Sequence, residues 1–216
     1  MEKKYDVIVW GATGFTGRLV VEYLSQTYIK QGLRVAIGGR DLERLKQIST
    51  SLGLSVDLLA GDCHDKKFLK EMVSQTKVMC SLVGPFANYG SELVEACAEN
   101  GVHYCDITGE VQWIRKMIEE NHEIAKKTGA RIVHACGFDS IPSDLGCFYL
   151  QTYAQEKFGA PAREVHFRLT KARGGVSGGT IASMMNLMDE ISREPGLRKI
   201  VGNPRSLCIS GEHTAQ

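Results

Sequence analysis

A glycine-rich turn close to the start of the chain constrains the fold more than any other feature. An apolar run over residues 7–10 leads into three glycines spaced Gly-x-x-Gly-x-x-Gly, at Gly11, Gly14 and Gly17. Apolar residues then recur at spacings of three and four, which indicates a helix. Strand, glycine turn and helix in this order are typical of the phosphate-binding unit of a doubly wound α/β fold.

Each glycine of this turn has a predicted role. Gly11 allows a tight turn, Gly14 leaves room for a pyrophosphate, and Gly17 lets the helix approach the strand. The free N–H groups of the first helical turn favour an anion. A glycine turn without a ligand is the alternative interpretation. The predicted cofactor-binding residues here are Gly11, Ala12, Thr13, Gly14, Phe15, Thr16 and Gly17.

Strand and helix patterns alternate through residues 1–158, which predicts a Rossmann-type parallel sheet with helices on both faces. The further strands are expected over residues 34–38, 56–60, 78–83, 103–107 and 131–136. Residues 159–216 form a second predicted unit, in which residues 164–170 alternate as in a half-exposed strand and a helix ends near residue 192. One strand and one helix cannot bury a core, so we interpret this unit as the start of an incomplete substrate or capping α/β domain.

Charge and cysteine content exclude several classes of protein. The formal net charge of +1 gives no electrostatic reason to expect nucleic acid as a partner. Seven cysteines without a C-x-x-C pair indicate reduced thiols rather than a disulfide framework or a zinc module, so we predict no metal and a reducing, intracellular and cytoplasmic location. The charged N-terminus resembles no signal peptide, and no apolar run has the length of a transmembrane helix.

The end of the second predicted strand selects the cofactor. NAD sites carry a carboxylate there, whereas NADP sites lack it and place an arginine nearby. Here the strand ends Gly38-Gly39-Arg40, and the first carboxylate, Asp41, comes after the arginine. We therefore predict that Arg40 binds the 2′-phosphate of NADP, with NAD as the less favoured cofactor. The alternative is a solvated surface arginine.

Two further positions lie where the strands of such a sheet end. Asp62 follows the third strand, and it either faces the adenine or caps the helix that begins near Lys66. Gly84-Pro85-Phe86 ends the fourth strand beside the expected switch point, where its backbone can line the pyrophosphate and nicotinamide. A plain turn is the alternative for this tripeptide.

The predicted fifth strand is unusually polar. Asp106, Thr108 and Glu110 share one face if the strand continues, and a hydrogen-bonded structural cluster is favoured over an acid–base pair. His134 is interpreted as a hydrogen-bonded core histidine. Tyr153 and Lys157 match the Tyr-x-x-x-Lys pair of short-chain dehydrogenases, but Tyr153 lies about ten residues into its predicted helix, too far from a nicotinamide. The catalytic residues remain unknown.

Several of these segments together resemble the saccharopine dehydrogenase-like oxidoreductases, a family similar to saccharopine reductases and trans-acting enoyl reductases. The segments are the glycine turn, Gly38–Arg40, residues 83–86, the Tyr104-x-Asp106-x-x-Gly109-Glu110 block and residues 136–146. The resemblance implies a Rossmann domain, a nicotinamide cofactor and a second α/β domain over the site. It also implies chains about twice this length, and for some members an association with lipid metabolism or lipid droplets.

The resulting expectation is the N-terminal portion of an NADP-dependent oxidoreductase. Hydride would pass to or from an unsaturated or imine substrate, a small molecule of possible lipid-like character, and the protein could be a homodimer. We expect this chain alone to bind the cofactor but to turn over poorly. The rival interpretation is a non-catalytic dinucleotide sensor or scaffold on the same fold.

Overall fold

A computed structural model describes residues 2–171, 173, 175 and 177–208. Six parallel strands form one sheet in the order β3-β2-β1-β4-β5-β6. The strands are β1 (Tyr5–Trp10), β2 (Val35–Gly39), β3 (Asp57–Ala60), β4 (Thr76–Ser81), β5 (His103–Asp106) and β6 (Ile132–Val133). The predicted doubly wound fold is therefore confirmed, and its switch point lies between β1 and β4.

Helices connect the strands and continue after the sheet ends. They are α1 (Phe15–Thr27), α2 (Leu42–Ser51), α3 (Lys66–Ser74), α4 (Phe86–Tyr89), α5 (Ser91–Glu99), α6 (Val111–Thr128), α7 (Ile141–Phe158), α8 (Gly178–Arg193) and α9 (Leu197–Val201), with a 3₁₀ turn at Ile29–Gln31. Among the described residues, no helix is both long enough and apolar enough to cross a lipid bilayer.

The core has two layers because successive side chains of each strand point to opposite faces of the sheet. On one face, Ile8, Met79 and Tyr104 pack in a cluster with apolar residues of α3, α5 and α6. On the other face, Val9 and Ile37 pack in a cluster with residues of α1 and α2. Both faces of the central strands are therefore buried, as their continuous apolar sequences predict.

The sixth strand is shorter than the sequence pattern predicts. It contains only Ile132–Val133, because Ala135 adopts a left-handed backbone conformation with φ of 57°. The Asp106 carboxylate stabilises this turn by accepting hydrogen bonds from the Ala135 N–H and the His134 ring, at 3.1 and 2.6 Å. The prediction of a strand over residues 131–136 was therefore too long.

The strand predicted over residues 164–170 is wrong: these residues carry no strand assignment in the structure. Alternation of apolar and polar residues does not by itself supply a neighbouring strand, and a strand needs a partner for its backbone hydrogen bonds. The predicted helix that follows is present as α8. The last described segment packs against α6, where Arg115 Nη1 donates to the Ser206 carbonyl at 3.0 Å.

Gly17 provides a direct test of how closely α1 packs on the first turn. A Cβ atom there would lie 2.1 Å from the Gly11 carbonyl oxygen and 2.9 Å from Ala12 Cα. We expect Gly17→Ala to lower the free energy of unfolding by about 1–3 kcal/mol through overpacking. Gly146→Ala in α7 is the matched control, because a Cβ there meets nothing within 4 Å.

The control variant should be neutral or stabilised by up to about 1 kcal/mol, the helix propensity of alanine over glycine. Urea unfolding of the two variants beside the parent chain measures both effects. Equal stability of the two variants would contradict the tight contact at Gly17.

Candidate functional site

A cavity of about 410 Å³ lies at the carboxyl edge of the sheet. It opens over the ends of β1, β2, β4 and β5, across the switch point, which is where open α/β sheets bind ligands. The glycine turn and Arg40 line one part of it, while residues 107–110 and one face of α8 line another. The cavity is therefore elongated along the sheet edge rather than centred on one strand.

Gly11 and Gly14 shape the floor of this cavity. Gly11 has φ of +90°, and a Cβ there would lie 2.7 Å from Val83 Cγ2, so no larger residue fits. Gly14 is the N-cap of α1 but offers no side-chain cap, and the first turn of α1 contains no acidic residue. The amide N–H groups of that turn therefore have no side-chain cap, and their use by an anionic ligand stays a prediction.

Most, but not all, of the predicted cofactor residues line the cavity. Those that do are Gly11, Thr13, Gly14, Phe15, Thr16, Arg40, Gly84 and Phe86; those that do not are Ala12, Gly17, Asp62 and Pro85. Ala12 is fully buried in the core. Gly17 faces the Gly11 carbonyl, so it packs the helix against the turn.

Arg40 stands at the mouth of the cavity with its guanidinium exposed to solvent. Its Cζ lies 5.8 Å from the centre of the Tyr89 ring, a cation–π distance. The neighbouring carboxylate of Asp41 caps α2 by accepting a hydrogen bond from Arg44 N–H at 3.1 Å. Asp41 is therefore committed to a helix end, and it leaves the strand tip without a carboxylate for a ribose.

Asp62 does not cap the helix that follows it. The N-cap of α3 is Asp65, whose side chain accepts from the N–H groups of Lys67 and Phe68. The capping alternative for Asp62 is therefore wrong. The Asp62 carboxylate instead accepts from His64 N–H at 2.9 Å. This bond is the main cause of its lowered pKa, to which the positive charge of Arg40 also contributes.

A buried carboxylate, Glu110, joins three segments around the cavity. Its two oxygens accept hydrogen bonds from the N–H groups of Phe86 and Ala87, both at 2.8 Å. One oxygen also accepts from Ser183 Oγ of α8 at 2.7 Å. Because the amides of Phe86 and Ala87 are already bonded to Glu110, they are not free for a pyrophosphate. Gly84 and Phe86 thus contribute to the cavity wall, and the Phe86 amide is not a free donor.

Asp106 lies beneath this cavity wall and is fully occupied by hydrogen bonds. Its carboxylate accepts from the Thr108 and Ala135 N–H groups and contacts the His134 ring. The His134 ring in turn packs edge-on against Trp113, with ring centres 5.1 Å apart. The Asp106–His134 pair therefore fixes the backbone where β5 and β6 end.

Sequence reasoning missed the contribution of α8. This helix covers part of the cavity with Thr180, Ser183, Met184 and Leu187, and it starts at the N-cap Ser177. Three hydrogen bonds hold α8 in place. Ser183 Oγ donates to Glu110. Asn186 accepts from Asn88 at 3.1 Å, and Glu190 accepts from Gln112 at 2.9 Å. The sequence feature that could have revealed this helix face is the spacing of three or four residues between its cavity-lining positions.

Tyr153 lies outside the cavity lining, as its position along the helix predicts. Its hydroxyl accepts a hydrogen bond from Lys157 Nζ at 2.8 Å on the solvent side of α7. The side chain is exposed and contacts no residue of the glycine turn among the described hydrogen bonds. The short-chain dehydrogenase interpretation therefore has no support in this geometry.

Residues 7–133 match the saccharopine dehydrogenase NADP binding domain. The chain therefore belongs to the saccharopine dehydrogenase-like family, and its Rossmann unit is an NADP-binding domain. This finding confirms both the resemblance read from the sequence motifs and the predicted preference for NADP as the cofactor.

Relatives in mycobacteria extend the similarity over almost the whole chain. A trans-acting enoyl reductase of Mycobacterium tuberculosis (strain ATCC 25618 / H37Rv) is 36% identical over 210 residues, which are 95% of this chain and 50% of the relative. A trans-acting enoyl reductase of Mycobacterium ulcerans (strain Agy99) is 37% identical over 210 residues, again 95% of this chain and 50% of the relative. The chain thus spans about half the length of the curated relatives it matches.

Among solved structures, the apo saccharopine dehydrogenase (L-Glu forming) of Saccharomyces cerevisiae shares the fold. It has a TM-score of 0.52 at 16% sequence identity, over 72% of this chain and 32% of that chain. Identity at this level supports the fold assignment alone.

Proposed function

We propose that this chain is the NADP-binding portion of a reductase that transfers hydride to an unsaturated or imine substrate. The observation that carries the proposal is the elongated cavity at the switch point, with a cationic end at Arg40 and a covered end under α8. Residues 1–158 would form the cofactor domain and residues 159–216 the beginning of the substrate or capping domain.

The glycine turn and Arg40 set the orientation of the cofactor. The pyrophosphate would bind the uncapped N–H groups at the start of α1, where the helix dipole favours an anion. The 2′-phosphate would lie beside Arg40, and Asp62 would stay close to the adenine end. The nicotinamide would then extend toward Gly84 and residues 107–110.

The bound cofactor supplies hydride from C4 of its nicotinamide. The protein's own contribution is to orient the reactants and to exclude water from the covered end of the cavity. Glu110 is suited to a positioning role here: it accepts three hydrogen bonds, and these hold α4 and α8 at fixed places around the cavity.

Substrate chemistry follows from two observations. Met184 and Leu187 give α8 an apolar contribution to the cavity wall, and relatives carry the name enoyl reductase. We therefore favour a lipid-like substrate with a carbon–carbon double bond over an imine. A homodimer, a cytoplasmic location and association with lipid droplets remain predictions.

Cofactor choice is tested by changing Arg40. The guanidinium can meet the 2′-phosphate with charge-assisted hydrogen bonds of about 1.5–3 kcal/mol, which correspond to roughly 10- to 150-fold in affinity. We expect Arg40→Ala to weaken NADPH binding by such a factor and to leave NADH binding nearly unchanged. Arg44→Ala is the matched control, because Arg44 is a nearby exposed arginine that pairs with Asp41 and does not line the cavity.

Titration of both cofactors against the parent chain and both variants measures these affinities. Equal losses of NADH and NADPH in Arg40→Ala, or a loss of NADPH in Arg44→Ala as large as that in Arg40→Ala, would contradict the role of Arg40.

Reductase activity is tested on the natural protein that contains this chain. We expect it to oxidise NADPH in the presence of an enoyl thioester, faster than in the presence of a cyclic imine, as followed by NADPH absorbance. Tight NADPH binding without oxidation by either substrate class would contradict the proposal and favour the dinucleotide sensor.

A further inference from the structure

Two cysteines lie side by side on neighbouring strands beneath the cavity. Cys80 of β4 and Cys105 of β5 are register partners in the parallel sheet. Neighbouring strands are about 4.8 Å apart, which lies within the Cα separation of about 4.4–6.8 Å that a disulfide requires. Register partners point to the same face of a sheet, so the two thiols face the same side.

The face that carries these thiols is only partly covered. Along one register row, Val9 is fully buried, Cys80 and Cys105 are partly exposed, and Val133 is 51% exposed. A small solute can therefore approach Cys105 from the side of β6. The opposite face, with Met79 and Tyr104, is buried in the core.

We propose that Cys80 and Cys105 form an oxidisable dithiol, a modification site for peroxides in the strands that lead to the cavity wall. The Cys105 thiolate attacks one oxygen of hydrogen peroxide, the O–O bond breaks, and Cys105 becomes a sulfenic acid while water leaves after protonation. The Cys80 sulfur then attacks the Cys105 sulfur, which expels a second water and forms the disulfide. The peroxide accepts the two electrons that the two thiols lose.

The local chemistry assigns different roles to the two sulfurs. Interaction with the Cys80 side chain lowers the pKa of Cys105. The same interaction, together with burial, raises the pKa of Cys80. Cys105 is therefore the better thiolate and the initial nucleophile, and Cys80 resolves the sulfenic acid.

Another nearby thiol, that of Cys136, is placed differently. Cys136 Sγ points to backbone carbonyls, with Val133 O at 3.6 Å and His134 O at 3.8 Å. Burial raises the pKa of Cys136, as does the proximity of Cys105. Cys136 is therefore a weaker nucleophile than Cys105.

The position of the pair connects it to the cavity. Ser81 and Asp106, the residues that follow Cys80 and Cys105, are themselves register partners and end their strands. The next residues, 82–84 and 107–110, line the cavity. A disulfide would thus cross-link the two strands directly below the loops that form the cavity wall.

The test is a disulfide map of the 216-residue chain after treatment with hydrogen peroxide. Free thiols are alkylated under denaturing conditions and the chain is cut by a glutamate-specific protease. This enzyme is needed because no lysine or arginine lies between Lys77 and Arg115, whereas Glu92, Glu95 and Glu99 separate the two cysteines. We expect a linked peptide pair that contains Cys80 and Cys105, lighter by two hydrogens and separated by dithiothreitol.

Two variants separate the role of Cys80 from that of an exposed thiol outside the pair. In Cys80→Ser, we expect Cys105 to accumulate as a sulfenic acid that dimedone traps. Cys147→Ser, which removes an exposed thiol elsewhere, should leave the linked peptide unchanged. Alkylation of both Cys80 and Cys105 in peroxide-treated parent chain, while Cys136, Cys147 or Cys208 is oxidised, would overturn the proposal. This outcome is read on the parent chain and does not depend on the folding of either variant.

Discussion

The first turn and α1 pack so closely that no side chain fits between them. Gly11 sits against Leu82 and Val83 with φ of +90°, and Gly17 lies directly over the Gly11 carbonyl. A side chain at either position would force β1, β4 and α1 apart. Because the cavity opens between the ends of β1 and β4, this close packing also decides how wide the cavity is and where the amides of α1 point.

Glu110 joins the segments around the cavity through hydrogen bonds, as the glycine contact joins the first turn and α1 through close packing. A carboxylate that is 4% exposed is costly to bury unless it is hydrogen-bonded, and Glu110 meets this cost with two backbone amides and one serine hydroxyl. Its partners belong to α4 and α8: Phe86 and Ala87 precede Glu110 in the chain, whereas Ser183 follows it by 73 residues. Together with the Asn88–Asn186 and Gln112–Glu190 bonds, this carboxylate therefore holds α8 over the covered end of the cavity.

The sequence predicted the doubly wound sheet, the glycine turn and the placement of Arg40 at the cavity, because each depends on local patterns: a buried strand, fixed glycine spacing and the residue at a strand tip. The binding of a 2′-phosphate by Arg40 stays a prediction. It did not predict features that depend on distant partners. Whether Asp62 or Asp65 caps α3 depends on loop geometry, and the alternating residues 164–170 had no strand to pair with. The Glu110–Ser183 bond joins positions far apart in the chain, so no spacing rule reveals it.

We infer that the glycine turn and Arg40 hold NADP along the carboxyl edge of the sheet. An NMR titration of the isotope-labelled chain with NADP⁺ tests it most directly, since amide shifts report binding residue by residue. We expect the largest shifts at residues 11–16, with further shifts at Arg40, Gly84 and residues 107–109. Shifts confined to the second cleft, which Val133, Ala135 and Ser140 line between β6 and α7, or no shifts at millimolar cofactor, would contradict it.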